Sequence, residues 1–155
     1  MKFHLLSALA VATFLSACSG TYDRYGGSSS GGVSTAAPGS VEEFMDVVGD
    51  RVHFGFDKYN LTAEAQQILY RQAEWLKRYS SIKLTIEGHA DERGTREYNL
   101  ALGERRANSV KNFLAAEGIS TKRLKIISYG KERPVCEQQN SVCYARNRRG
   151  NSVLR

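Results

Sequence analysis

Residues 81–118, SIKLTIEGHADERGTREYNLALGERRANSVKNFLAAEG, decide the fold of this chain. Apolar and polar residues alternate over residues 82–86, which predicts a β-strand with one buried face. The polar stretch 88–96 predicts a loop. A long helix is then expected over residues 97–117, with Gly118 as its stop. The segment therefore predicts a strand, a loop and a helix in direct succession.

The flanking segments extend this pattern in both directions. Strands are predicted over residues 52–56 and 124–129, and a helix capped by Thr62 is predicted to run to about residue 79. The apolar face of the long helix is predicted to carry Leu100, Ala107, Val110 and Leu114.

The last strand is expected around residues 151–154, after a loop closed by cysteines. Gly150 and Asn151 are poor strand formers, so we expect this strand to be weak, frayed or bulged. Taken together, the elements predict an α/β two-layer sandwich, with a mixed four-stranded sheet and two main helices packed on one face.

Length and charge limit the class of protein. A chain of 155 residues favours one folded domain and excludes a large multi-domain enzyme. The 22 basic and 16 acidic residues give a formal charge of +6, which suits nucleic acid, acidic lipid or a carboxylate-bearing polymer. Charge alone does not choose among these partners.

The first residues predict export. Lys2 precedes an apolar run of eleven residues, 5–15, which suits a signal peptide and is too short to span a bilayer. Residues 15–18, LSAC, resemble a bacterial lipobox, which implies a signal peptide over 1–17 and lipidation of Cys18. The alternative is an ordinary secretory signal with a chance cysteine. Ser19, where aspartate would imply inner-membrane retention, implies the outer membrane.

A tether is predicted to follow the lipidated cysteine. Residues 19–40 contain six Gly and six Ser, so residues 18–40 are expected to be a flexible linker with an r.m.s. reach of roughly 26 Å. The folded domain is expected over residues 41–155 and facing the periplasm. In such an oxidising space Cys136 and Cys143 are expected to form a disulfide, with two free thiols as the alternative.

The loop GHADERGT, residues 88–95, is the densest polar cluster in the chain. It lies between the carboxyl end of a strand and the start of a helix, where ligands commonly bind in α/β sheets. Arg106 is expected roughly 14 Å along the helix, with its side chain directed back toward Asp91. Spacing alone leaves open that these two residues only pair with each other or with solvent.

Four motifs carry a resemblance to a known family: GHADERGTREYN (88–99), LGERRANSVKNFL (102–114), SYGKERP (128–134) and NRR (147–149). Over about residues 50–155 the chain resembles the OmpA-like C-terminal domain family, most closely its lipid-anchored, peptidoglycan-associated members. The resemblance implies non-covalent binding of peptidoglycan. Asp91 would pair with the side-chain ammonium of diaminopimelate, and Arg106 would hold its carboxylate. It also implies a Tol-Pal system and a TolB-like β-propeller partner that competes with the wall.

Other polar positions have two readings each. Phe56 and Asp57 form either one wall of the pocket or a core aromatic with a turn aspartate. Arg93 and Asn99 either lie near the ligand or order the loop. His89, beside Asp91, suggests an acid–base pair or a metal ligand.

No metal or cofactor is predicted, because the mature chain keeps only His53 and His89 and has no phosphate-binding glycine loop. The run 147–149, NRR, is either a basic patch or a structural contact.

Three rival functions follow from the same residues. A wall hydrolase would use His89, Asp91 and Glu92. An interaction module would bind TolB-like partners with an idle pocket. A nucleic-acid binder would explain the charge but conflicts with the export signal. We expect a binding protein that is not an enzyme and that supports outer-membrane integrity and constriction at division.

Overall fold

The computed structural model describes residues 36–155. The predicted signal peptide, the lipidated Cys18 and most of the predicted tether lie outside the described residues. The elements in chain order are α1 (Val41–Glu43) with a π-helical turn (Phe44–Gly49), β1 (Arg51–His53), α2 (Ala63–Arg78), β2 (Leu84–His89), α3 (Arg96–Ala116), a 3₁₀ turn (Thr121–Arg123), β3 (Leu124–Gly130), α4 (Ser141–Asn147) and β4 (Arg149–Leu154).

The four strands form one mixed sheet in the order β1-β4-β2-β3. β4 is antiparallel to both of its neighbours, and β2 and β3 are parallel with Ile86 opposite Ile126. The α2 and α3 helices contact the sheet and each other. The predicted two-layer α/β sandwich with a mixed four-stranded sheet is therefore confirmed.

The prediction of a frayed or bulged last strand is wrong. β4 is an inner strand, and its pairing with β1 and β2 runs without a register shift through Gly150 and Asn151. A Cβ atom on Gly150 would lie 3.2 Å from Val110 Cγ2 and 3.4 Å from the Phe54 ring. Glycine at this position gives α3 room to pack on the sheet, and that space outweighs its low strand propensity.

Caps define both long helices. The Thr62 hydroxyl accepts from the amide of Ala65 at the start of α2, as predicted. Thr95 accepts in the same way from the amide of Tyr98 at the start of α3. Leu100 is half-exposed, so its predicted place on the apolar face is wrong.

One core joins the helices to the sheet. Its fully buried members include Leu69, Leu76, Ile86, Val110 and Leu114. Each such aliphatic side chain contributes about 1.5–3 kcal/mol on burial.

Two glycines set the distance between α3 and β2. A Cβ atom on Gly88 would lie 1.8 Å from the carbonyl oxygen of Gly103, and one on Gly103 would lie 2.4 Å from Ser128 Oγ. The helix and strand backbones are therefore in direct contact at this point. The contact fixes the first half of α3 against the end of β2, next to the polar loop.

The segment predicted as a cysteine-closed loop contains a helix, α4, that the sequence analysis missed. Asn140 caps it by accepting from the amide of Cys143. The predicted disulfide between Cys136 and Cys143 is present, with a Cα–Cα distance of 5.0 Å. Among residues 36–155, no helix has the length and apolar character needed to cross a bilayer.

Candidate binding site

The loop between β2 and α3, residues 90–95, is held by its own side chains. Asp91 Oδ1 accepts from the amide of Arg93 (3.2 Å), and Gly94 turns the chain with a positive φ of 91°. Asn99 Nδ2 donates to the carbonyls of Arg93 (2.8 Å) and Thr95 (3.1 Å). The loop therefore keeps one conformation above the start of α3.

Lys131, in the segment between β3 and α4, forms hydrogen bonds to the backbone of the same loop. Lys131 Nζ donates to the carbonyls of Gly94 (2.7 Å) and Glu92 (3.2 Å). Because both bonds come from one residue that is distant in sequence, they fix the loop to the rest of the domain.

Asp91 is a buried carboxylate, only 4% exposed, with two arginine partners. Arg93 donates to both of its oxygens (Nη2 to Oδ2, 2.7 Å; Nε to Oδ1, 3.1 Å), and Arg148 Nη1 lies 3.3 Å from Oδ2. Burial raises the pKa of Asp91, but the hydrogen bonds from Arg93 and Arg148 outweigh it, so that the pKa lies below its ordinary value. The residue is an anion at neutral pH.

Arg106 is a buried cation at the base of the same region and has no solvent-accessible surface. Its guanidinium donates to three carbonyls, those of His89 (2.7 Å), Lys58 (2.8 Å) and Gly55 (3.1 Å). Burial lowers its pKa to about 10, with a further contribution from Arg148. The group stays charged at neutral pH.

The donors of Arg106 are only partly used. Its three hydrogen bonds occupy three of five N–H groups. Within residues 36–155 it forms no ion pair with a carboxylate. A buried positive charge without such a partner favours an anion from outside the chain.

These groups surround one cavity of about 240 Å³. Its lining consists of Phe56, Asp57, Asp91, Arg93, Gly94, Tyr98, Asn99, Leu102 and Arg106. A single small cavity thus has both an anion, Asp91, and a cation, Arg106, in its lining.

Most of the predicted site residues lie together in this lining. Phe56 is exposed, and its ring centroid is 4.1 Å from Arg93 Cζ. Asp57 accepts a hydrogen bond from the Tyr98 hydroxyl. Asn99 lines the cavity and also orders the loop.

His89 does not line the cavity with the others. Its ring is buried near Tyr129, with 5.5 Å between ring centroids, and Nε2 lies 3.8 Å from Glu87. Only its carbonyl reaches the site, through Arg106. The grouping of His89, Asp91 and Glu92 that a hydrolase would need is not present in this arrangement. Within the described part of the chain, no three His, Cys, Asp or Glu side chains are placed to hold a metal ion.

Three residues contribute to the site although their sequence patterns did not predict it. Arg148 belongs to the NRR motif, which was noted only as a basic patch or a structural contact, and it pairs with Asp91 and the Phe54 carbonyl. Tyr98 gave no signal beyond its place in the first turn of α3. Tyr144 lies on the missed helix α4, and its ring centroid is 4.6 Å from Arg93 Cζ.

Comparison with known proteins identifies the family. The model of the OmpA family matches residues 53–148. The peptidoglycan-associated lipoprotein of Agrobacterium fabrum is 53% identical over 124 residues, covering 80% of this chain and 70% of the relative. That of Haemophilus influenzae is 41% identical over 145 residues, covering 94% and 92%.

A solved structure agrees with this result. The crystal structure of the peptidoglycan-associated lipoprotein from Burkholderia pseudomallei matches with a TM-score of 0.67 and 38% identity, covering 68% of this chain and 90% of that one. The family match spans both long helices, β2, β3 and α4, and it includes every residue of the cavity lining. The chain therefore belongs to the OmpA family, in the group of the peptidoglycan-associated lipoproteins.

Proposed function

We propose that this domain binds peptidoglycan without cleaving it, through the diaminopimelate residue of the stem peptide. The observation that carries the proposal is the pair of opposite charges, Asp91 and Arg106, in the lining of one small cavity. Diaminopimelate ends in an ammonium and a carboxylate on the same carbon, so a complementary site needs one acid and one base within a few ångströms. The relatives' name, peptidoglycan-associated lipoprotein, supports this ligand.

Asp91 has the properties needed to hold the ammonium. It is ionised and fixed in orientation, and its roughly four acceptor sites are taken by three N–H groups of Arg93 and one of Arg148. The contact with Arg148 Nη1 is the longest of these, at 3.3 Å, so the ammonium would replace that one. A charge-assisted hydrogen bond in a buried site is stronger than one in water.

Arg106 has the properties needed to hold the carboxylate. It retains two N–H donors, and its charge is uncompensated by a carboxylate of residues 36–155. Because it has no accessible surface, direct contact requires part of the lining to move outward. The carbonyls of Gly55 and Lys58 belong to the segment that covers it, so we assign this movement to that segment.

The rest of the chain gives this binding a purpose. We propose that residues 1–17 are a signal peptide, that Cys18 is lipidated at the outer membrane, and that residues 18–40 are a tether. The domain formed by residues 41–155 would then face the periplasm and connect the membrane to the wall. By family resemblance it would work in a Tol-Pal system that supports outer-membrane integrity and constriction, and would bind a TolB-like β-propeller.

Co-sedimentation of residues 33–155, a range that contains the whole described domain, with purified peptidoglycan tests the binding proposal. We expect the wild type to pellet with a diaminopimelate-type wall and to remain in the supernatant with a lysine-type wall, which lacks the second carboxylate. Asp91→Asn keeps the shape of the side chain but removes its charge. Loss of one partner of a desolvated charge pair should weaken binding on the order of a hundredfold.

One control variant, Asp46→Asn, and a second test variant, Arg106→Lys, make the result specific. Asp46→Asn neutralises an acid outside the cavity lining and should bind like the wild type. Arg106→Lys keeps the charge but loses the planar fork, and its folding is checked by circular dichroism. Equal pelleting of folded Asp91→Asn and wild type would refute the site. Failure of the wild type to pellet would refute the ligand, and TolB binding without wall binding would favour the interaction module.

A further inference from the structure

Tyr144, the residue after the disulfide-closed segment, contacts Arg93 of the cavity lining. This residue follows Cys143 directly in α4. Its ring centroid lies 4.6 Å from Arg93 Cζ, and its hydroxyl donates to Glu92 Oε1 (2.9 Å). Tyr144 thus contacts two residues of the loop that carries Asp91.

Arg93 connects Tyr144 to the site, because its side chain contacts both the Tyr144 ring and the Asp91 carboxylate. The same guanidinium that contacts Tyr144 also lies 4.1 Å from the Phe56 ring centroid and donates to both oxygens of Asp91. The Arg93 side chain is 40% exposed, so without its aromatic neighbours it would be free to leave the carboxylate. The two rings therefore hold Arg93 in the geometry that orients Asp91.

Tyr144 is itself held from both sides along the chain. The disulfide to Cys136 ties down the residue before it. Asn147 clamps the other end of α4, accepting from the amides of Val135 (2.9 Å) and Cys136 (3.1 Å) and donating to the Cys136 carbonyl (2.7 Å). Both restraints meet at Cys136, so this residue anchors the short helix.

We propose that Tyr144 is a positioning residue for ligand binding, and that the Cys136–Cys143 disulfide makes binding at the Asp91 cavity sensitive to reduction. The inference rests on the proposed function. A dithiol reductant transfers two electrons and two protons to the S–S bond, giving two cysteine thiols and the oxidised reductant. The helix then keeps its Asn140 cap and the Asn147 clamp but loses the covalent link to Cys136. Tyr144 therefore leaves Arg93 more often, and Asp91 is held less firmly in its orientation.

The test measures wall binding of residues 33–155, which contain no other cysteine. Tyr144→Ala removes the ring, and Tyr144→Phe keeps the ring but not the hydroxyl. Cys136→Ser/Cys143→Ser removes the disulfide. Tyr70→Ala is the matched control, since Tyr70 is a partly exposed tyrosine that packs on Phe113 in another part of the domain.

We expect Tyr144→Ala to weaken binding about two- to tenfold and Tyr144→Phe to restore most of it, because the ring carries the cation–π contact. The serine pair and dithiothreitol-treated wild type should weaken binding to a similar extent. Adding Tyr144→Ala to the serine pair should weaken it no further, since both changes act through one contact. Tyr70→Ala should bind like the wild type.

The outcomes separate this inference from the function on which it rests. If the wild type binds and Tyr144→Ala binds equally well, the positioning role is refuted while the cavity assignment stands. Additive effects of Tyr144→Ala and the serine pair would also refute it, since they would show that the disulfide acts only through stability. A wild type that does not bind would instead refute the proposed function.

Discussion

The buried imidazole of His89 should make the domain sensitive to mild acid. The side chain is 2% exposed, and neither ring nitrogen has a hydrogen-bond partner among the described residues. Burial, followed by the charges of Arg149 and Arg133, lowers its pKa to about 3. The neighbouring groups are Glu87, with Oε2 at 3.8 Å, and the Tyr129 ring, and they do not offset this effect.

The sign and size of the effect follow from proton binding. The unfolded chain has a histidine of ordinary pKa, 6.5, so between pH 6.5 and about 3 it takes up a proton that the folded chain excludes. The contribution of His89 to the free energy of unfolding is fully present above pH 6.5 and is lost progressively as the pH is lowered. At about 1.36 kcal/mol per pH unit, the loss at pH 5 is about 2 kcal/mol.

Urea unfolding of residues 33–155 at pH 7.5 and pH 5.0 measures this loss. His89→Leu should abolish about 2 kcal/mol of the pH difference, and the contributions of other groups cancel when variant and wild type are compared. His53→Leu, at an exposed position, should keep the His89 contribution. If His89→Leu and the wild type lose equal stability between the two pH values, the imidazole is not excluded from protonation and the reasoning fails.

Two further predictions concern the packing that supports the site. Gly103→Ala would place a methyl group 2.4 Å from Ser128 Oγ of β3 and 2.9 Å from the Gly88 carbonyl oxygen of β2. The methyl group would force α3 away from the sheet, so the free energy of unfolding in urea should fall by about 1–3 kcal/mol. An unchanged midpoint would show that the two backbones are not in contact. Gln72 is fully buried, donating to the Gly49 carbonyl (2.6 Å) and accepting from Ser152 Oγ (2.9 Å). Gln72→Leu leaves both groups unpaired and should cost about 1–3 kcal/mol by the same measurement, whereas a stability equal to the wild type would mean that water satisfies them.

Local sequence patterns predicted the helices and strands whose caps and apolar repeats lie within the element itself. The Thr62 cap and the apolar repeat of residues 65–76 defined α2, and alternation defined β2. The motif loop also directed attention to Asp91, which does line the cavity. These features depend on neighbours within a few positions, which a single sequence displays directly.

The sequence patterns did not predict features that depend on contacts between residues distant in the chain. The glycine in β4 was interpreted by its propensity, although its role is to admit Val110 of α3. The short helix α4 depends on a cap and a disulfide more than on an apolar repeat. His89 was grouped with Asp91 by proximity in sequence, but β2 ends at His89 and Asp91 belongs to the loop that follows, so a strand pattern does not relate the two side chains. Only the His89 carbonyl contacts Arg106.

The strand order has a consequence for how the domain is made. β4 lies between β1 and β2, and β1 pairs with no other strand of the described sheet. During synthesis, β1 and β2 are therefore complete long before the strand that joins them, and the sheet cannot close until residues 149–154 have left the ribosome. This postponed closure is a kinetic delay encoded in topology, since pairs so distant in sequence form late. For a polypeptide that we propose is exported before it folds, β1 therefore has no strand partner in the described sheet until the last strand is available.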